Sequence, residues 1–281
     1  MFRSLLFVPG NNPSMLQNAD IFMSDAIIFD LEDSVNLDEK DNARNLVETY
    51  LLTTKELPKA VVLRINPVNS DLVDDDLKLL QTRKIDYLLL PKANKISLFV
   101  LDKILKKIEN KIELKPTKVI CLIEETKSVI DIYELAKHER VEALMLGAED
   151  LTSELEINRT TEGKELLYSR SRIIYAAISN KLIPIDTPFT DIDNQEGLIQ
   201  DCKFALNLGM KAKTAIHPSQ LETINEVFSP SQKAIKWAEA VLKKAKELNK
   251  GAFQFEGKMI DRPVLEKAKK IIEKAKLFEL M

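Results

Sequence analysis

Short, nearly continuous apolar runs recur along the chain, and helical patterns fill the segments between them. The runs are SLLFVP (4–9), AIIFDLE (26–32), AVVLRIN (60–66), YLLLPK (87–92), KVICLIE (118–124), EALMLG (142–147), IPIDTPF (183–189) and AKTAIHP (212–218). Strands covered on both faces read this way, and parallel sheets flanked by helices contain such strands. The segments between them are long enough for a helix and two loops. In one of these, Leu98, Leu101, Leu105 and Ile108 recur at helical spacing, while Lys103, Lys106 and Lys107 fall on other faces. Gly209 stands where a helix should stop.

Eight strand–helix units predict an α/β chain folded as a (β/α)8 TIM barrel over residues 1–228. A doubly wound open sheet is the competing architecture. It would need a glycine-rich phosphate turn after its first strand to bind a nucleotide, and the turn here, PGNNP, has one glycine. Residues 229–281 form a C-terminal helical extension that the barrel does not require. In it, 230–249 reads as an amphipathic helix with Ala234, Trp237, Ala238, Val241, Leu242 and Ala245 on one face. The segment GAFQFEGKMID reads as a loop, and a last helix starts near Pro263. The extension either packs on the barrel's outside or reaches a neighbouring subunit.

Composition narrows the class. The 281 residues are 45% hydrophobic and 30% charged, as in an ordinary soluble globular chain. A net charge of -3 gives no positive field to hold nucleic acid. The apolar run near the N-terminus is short and broken by Pro9-Gly10, so it is no signal peptide, and no stretch approaches a membrane span. Cys121 and Cys202 are too few for a zinc cluster or a secreted disulfide framework, and Cys121 sits mid-strand among apolar neighbours. A cytoplasmic protein is expected.

In a barrel of this kind, chemistry belongs at the C-terminal ends of the strands. The ends here carry Asp30, Glu32 and Asp33, then Arg64 and Asn66, Lys92, Glu124, Gly147-Ala148-Glu149-Asp150, Asp186 with Thr187, Thr190 and Asp191, and His217. Polar residues at strand ends also meet solvent, but Arg64, Glu124 and Asp150 each close an apolar run and are placed to point inward. Carboxylates from two adjacent strands suit a hard divalent cation, and Mg2+ needs only one or two because it keeps its waters. Glu124 and Asp150 form such a pair, with Asp30, Glu32 and Asp33 near enough to hold metal-bound waters. Without a cation so many acids at one mouth would repel. Asp33 reads equally well as a helix cap. Arg64 needs an anionic partner: a substrate carboxylate, an oxyanion, or a structural ion pair with Asp30 or Glu32. His217, followed by Pro218, reads as ordering a turn rather than as a base. Lys92 fits a surface charge or phosphate contact better than a Schiff-base nucleophile.

Nine motifs occur in order: RSLLFVPGNNP, AIIFDLEDSV, VVLRINP, LLLPK, CLIEET, GAEDLTSEL, IPIDTPFTDID, KTAIHPSQLETIN and GKMIDRPV. With them the chain resembles, over essentially its whole length, the citrate lyase β-subunit family and its malyl-CoA, citramalyl-CoA and β-methylmalyl-CoA lyase relatives, within the HpcH/HpaI aldolase superfamily. The resemblance implies a Mg2+-dependent carbon–carbon lyase, usually a homotrimer. Such an enzyme cleaves or forms a 3-hydroxyacyl thioester on CoA or acyl carrier protein, with a keto acid such as oxaloacetate, glyoxylate or pyruvate as the other product. It implies that Arg64 binds substrate, that Glu124 binds metal and contacts substrate, and that Asp150 binds metal. It further implies that Asp261 acts in a neighbouring subunit's site, and that companion lyase subunits exist if the protein is a true β-subunit. The chain departs from the family pattern at Glu125, Ser128, Glu156 and the GMKAK lead-in, around the thioester-binding rim. Two other readings stand beside this one: a class II-type aldolase acting on free hydroxy-acids, and a non-catalytic barrel serving as a complex scaffold.

Overall fold

The computed structural model describes all residues except Met1, Glu56, Pro58, Asn249 and Lys250. They form two compact units, Met1–Ile224 and Asn225–Met281. In the first, all eight apolar runs are strands: β1 (Ser4–Pro9), β2 (Ala26–Asp30), β3 (Ala60–Arg64), β4 (Tyr87–Leu90), β5 (Lys118–Ile123), β6 (Val141–Leu146), β7 (Ile183–Asp186) and β8 (Ala212–Ala215). They pair in chain order, all parallel, and β8 closes on β1. The helices on this path are α1 (Pro13–Gln17), α2 (Lys40–Thr53), α3 (Val73–Asp76), α4 (Lys95–Ile112), α5 (Thr126–Ala136), α6 (Ala148–Glu154), α7 (Leu167–Ser179), α8 (Gln195–Leu208) and α9 (Leu221–Phe228). The expected (β/α)8 barrel is therefore the observed one.

Successive side chains on a strand point to opposite faces, so each strand sends every second residue inward. Leu5, Ala26, Ile28, Val62, Leu89, Ile120, Leu122, Ala143, Met145, Ile185 and Ala212 pack into one buried cluster from all eight strands. Phe2 and Tyr87, at the strands' N-terminal end, meet edge to face at 5.6 Å. Continuing the alternation past the cluster brings Asp30, Arg64, Glu124, Gly147 and Thr187 to the opposite end.

The helical layer buries charge as well as hydrocarbon. Helix α4 is capped by Asn94, whose side chain accepts from the Ile96 and Ser97 amides. Leu98, Leu101 and Leu105 are buried as its spacing predicts, whereas Ile108 is only half-buried and the buried face continues through Asp102 and Glu109. Both of these serve Arg140, which makes two 2.7 Å bonds to the Glu109 carboxylate and a third bond to Asp102.

In the second unit, α10 (Gln232–Leu248) and α11 (Arg262–Leu277) flank a hairpin of β9 (Phe253–Phe255) and β10 (Lys258–Ile260). Ala238, Val241, Phe253, Ile260 and Ala268 form its core, with Trp237, Leu242 and Ala245 packed against them. The expected loop in GAFQFEGKMID is thus a hairpin. Its two-residue turn holds Glu256 at φ 48° and Gly257 at φ 74°, the doubly positive geometry that matches strand twist. Glutamate is not the usual residue for the first of those positions, which hides the turn from pattern reading. Among the described residues no helix is long and apolar enough to cross a membrane.

Burial raises the Asp102 and Glu109 carboxyls, but Arg140 together with Lys106 at Asp102 and the Thr117 amide at Glu109 outweighs it and holds both below their ordinary values of 3.8 and 4.5. Depressed folded-state values mean that this contribution to stability is complete above the unfolded-state pKa and is lost as pH falls through the folded one. Arg140→Met should therefore cost about 3–5 kcal/mol at neutral pH, where it takes the shared guanidinium from two buried carboxylates and leaves them the Lys106 and Thr117 contacts. The loss should shrink at acid pH as they protonate. Urea unfolding at neutral and acid pH checks this, and an equal loss at both would contradict it.

Candidate active site

The mouth at the strands' C-terminal end encloses a cavity of about 420 Å³. Its wall includes Asp30, Asp33, Arg64, Glu124, Asp150 and Thr187. The structure thus brings together five of the seven polar residues singled out for this site. Glu32 joins them through Arg64, at 3.1 Å from Nη1. Asp261 lies in the other unit, where it caps α11 by accepting from the Val264 amide at 3.3 Å.

Neighbouring strands explain the first cluster. Asp30 and Arg64 are register partners on β2 and β3. Asp30 accepts from Arg64 Nε and Nη2, both at 2.6 Å, a planar two-point pairing that only a guanidinium supplies. Asp30 also accepts from the Glu32 amide and the Ser34 hydroxyl, and Asp33 lies 3.3 Å from Arg64 Nη1. Phe7 stacks against the guanidinium, 5.1 Å from its ring centre. Burial by itself would lower the Arg64 pKa, but Asp30, Glu32 and Asp33 together raise it, and the same pairing holds Asp30 below the carboxylate range despite burial. Glu32 goes the other way. Burial pushes it up to about 7, Asp33 and Asp30 add repulsion, and Arg64 offsets only part. The anionic partner expected for Arg64 is therefore present inside the chain. The three acids expected near metal-bound waters each meet the guanidinium.

The second cluster is short of positive charge. Glu124 follows β5, and its Oε1 accepts from the Lys92 amide at 2.6 Å. That amide is presented by a residue with φ 47°, a conformation uncommon outside glycine. Burial pushes the Glu124 carboxyl up to about 8, with the negative charges of Asp150 and Glu32 adding to it. Asp150 stands in the first turn of α6, where the helix dipole favours an acid. Gly147 abuts Glu124. A Cβ there would lie 2.7 Å from Glu124 Cβ and 2.8 Å from its Oε2. Among the described residues no three His, Cys, Asp or Glu side chains gather as a metal cage, so Glu124 and Asp150 offer two carboxylates and no more.

Other sequence candidates fall outside this constellation. His217 caps a turn, its Nδ1 meeting Ser219 Oγ at 2.7 Å, as its Pro neighbour suggests. Lys92 is exposed at the edge of a shallower hollow with Glu124, Glu125 and Glu154. Cys121 is core, its thiol pushed up to about 12 by burial. Asp186, expected at the mouth, is fully buried on the outer face of β7 against α7 and α8, because it is one residue out of phase with Thr187. Sequence reading placed Thr187 and Gly147 at the mouth without a role, since a hydroxyl or a missing Cβ carries no charge signal.

Residues 3–218 match the family model described as HpcH/HpaI aldolase/citrate lyase. The chain belongs to this family. The citrate lyase subunit beta of Leuconostoc mesenteroides subsp. cremoris is 34% identical, over 97% of this chain and 93% of that one. The mitochondrial citramalyl-CoA lyase of Homo sapiens is 30% identical, over 96% and 84%. Among solved structures, the CitE protein of Mycobacterium tuberculosis in complex with magnesium, acetoacetate and coenzyme A superposes with a TM-score of 0.78 at 30% identity, covering 97% of each chain. As a member of the HpcH/HpaI aldolase/citrate lyase family, the chain is a carbon–carbon lyase.

Because the Gly147 space is occupied by Glu124, Gly147→Ala should displace that carboxylate and cost about 1–3 kcal/mol of stability. Thermal unfolding and a crystal structure of the variant check it. An undisturbed Glu124 beside an unchanged melting point would contradict it.

Proposed function

We propose that the chain is a Mg2+-dependent lyase that cleaves, or forms, a 3-hydroxyacyl thioester such as citryl-, malyl- or citramalyl-CoA, or the acyl-carrier-protein equivalent. The products are a keto acid and an acetyl thioester. One observation carries this reading: Glu124 and Asp150, two acids without an ion pair among the described residues, share a single barrel mouth with Arg64. The relatives' substrates and the magnesium of the solved CitE structure support it.

The residues present fit the ion. Two oxygen donors suffice for Mg2+, which keeps several waters. Glu124 has one carboxylate oxygen engaged by the Lys92 amide, and its other oxygen faces a glycine. Glu124 and Asp150 would hold the metal. When bound, it supplies Lewis-acid polarisation of the substrate's carboxylate and hydroxyl oxygens.

The chain's own groups do the rest. Arg64 is locked on its Nε–Nη2 edge by Asp30, which fixes the guanidinium plane at the cavity wall. A base takes the hydroxyl proton as the carbon–oxygen double bond of the keto acid forms. The electrons of the breaking C–C bond pass to the thioester as an enolate. Arg64 stabilises the developing oxyanion, and a proton delivered to the enolate carbon completes the acetyl thioester. Asp261 of a neighbouring subunit is the proposed proton donor, in a homotrimer working in the cytoplasm. Run backwards, the same groups condense the two products.

A screen of citryl-, malyl- and citramalyl-CoA with purified protein and Mg2+ should find turnover of at least one thioester and none of the free acids. Turnover of free hydroxy-acids would favour an aldolase without a carrier. Glu124→Ala and Asp150→Ala should each lower Mg2+-dependent turnover at least ~100-fold with the fold retained. Full activity in either defeats the metal assignment. For Asp261, mixing inactive Asp261→Asn and Arg64→Ala chains should restore partial activity if the residue works across subunits. Persistent inactivity would count against that role.

A further inference from the structure

Behind the cavity wall, on the outer faces of β7 and β8, lies a wholly buried set of four charges. Lys213 Nζ donates to Asp186 Oδ2 at 2.7 Å, to Asp201 Oδ2 at 2.6 Å and to the Thr187 carbonyl at 2.7 Å. Arg170 donates to both Asp186 oxygens, at 2.8 and 2.9 Å, and to Asp201 Oδ1 at 2.6 Å. Two cations and two anions balance, and the set ties α7 and α8 to the last two strands. Burying such a set gains little net stability compared with a well-packed apolar one, because desolvation offsets the attraction. What it supplies is fixed geometry, and that geometry leads to the cavity.

The lead runs through Thr187. Its carbonyl is held by Lys213, and the preceding carbonyl, of Asp186, accepts from the Thr214 hydroxyl at 3.0 Å. Its own hydroxyl faces the mouth and accepts from the Ala148 amide at 3.3 Å. Ala148 opens α6, two residues before Asp150. Two hydrogen bonds, one to the Thr187 carbonyl and one to its hydroxyl, thus join the buried lysine through that residue to the turn that carries one of the two acids.

We propose that Lys213, with Asp186, Arg170 and Asp201, is a positioning device that sets Thr187 and, through the Thr187 hydroxyl, the Gly147–Asp150 turn for cation binding. This rests on the reading of Asp150 as a metal-holding residue. Lys213 touches neither metal nor substrate. It is a positioning residue, and its effect is read at the turn.

The test uses Mn2+ as a paramagnetic stand-in for Mg2+, with binding followed by electron paramagnetic resonance and backbone order followed by amide hydrogen exchange. Thr187→Val keeps the side chain's volume and removes the acceptor. It should weaken Mn2+ binding roughly 3- to 10-fold, the worth of one hydrogen bond, while Thr187→Ser stays within about two-fold of the parent. Lys213→Met should quicken exchange over 147–150 without quickening it in β2 and β3. If it does not fold, the Thr187 pair carries the test alone. Asp150→Ala is the control. Loss of Mn2+ binding there, with parental binding and exchange in Thr187→Val, overturns the positioning role and leaves the functional reading standing. Parental Mn2+ binding in Asp150→Ala overturns both.

Discussion

A side chain on a closed parallel sheet has two destinations, the barrel's interior or the layer beneath the helices, and the two-residue repeat of the strand decides which. Everything at the mouth of this barrel follows from that constraint. Arg64 and Asp30 share a register position and an inward direction, so they meet. Glu124 follows β5 in phase with Ile120 and Leu122, and so it continues the interior column. Asp186 and Thr187 are adjacent in sequence and both polar, yet one is sealed behind the sheet and the other faces the cavity.

Charge is then handled in three different ways within one unit. Behind β7 and β8, two cations and two carboxylates compensate each other and are buried. At the front, one guanidinium is shared by three acids, and Glu32 is left with its proton affinity raised to about 7. Beside it, the Lys92 amide and the charge of Arg64 offset only part of the burial and of the repulsion from Asp150 at Glu124, which rises to about 8. Lone buried carboxylates of this sort are costly, and they concentrate where a ligand supplies the missing charge. The contrast between the balanced set and the unbalanced pair marks one as architecture and the other as the ground for a proposed cation site.

Much of this was legible in the order of the residues. Eight short apolar runs bounded by polar ends and separated by helical patterns point to eight strands, because parallel strands covered on both faces read this way. The same runs identify Arg64 and Glu124 as the residues closing β3 and following β5, and the motifs around them identify the family. Local chemistry also exposed the structural role of His217, since a proline directly after it fixes a turn that the imidazole can cap. The Phe253–Ile260 hairpin stayed hidden because Glu256 adopts a backbone conformation that its residue type does not advertise.

The partners of each charge were decided only in three dimensions. Sequence named Asp30, Glu32 and Asp33 as acids near a mouth, able to hold metal-bound waters or to pair with Arg64, but their meeting with the guanidinium depends on the register of β2 against β3, which no local pattern encodes. Sequence put Asp186 at a strand end and Lys213 in an apolar run. That they meet Arg170 and Asp201 requires α7 and α8 to fold back over β7 and β8. Propensity and periodicity are properties of neighbours along the chain, so they settle the elements and the faces. Pairing of buried charges is a property of neighbours in space, and it exists only once the barrel has closed.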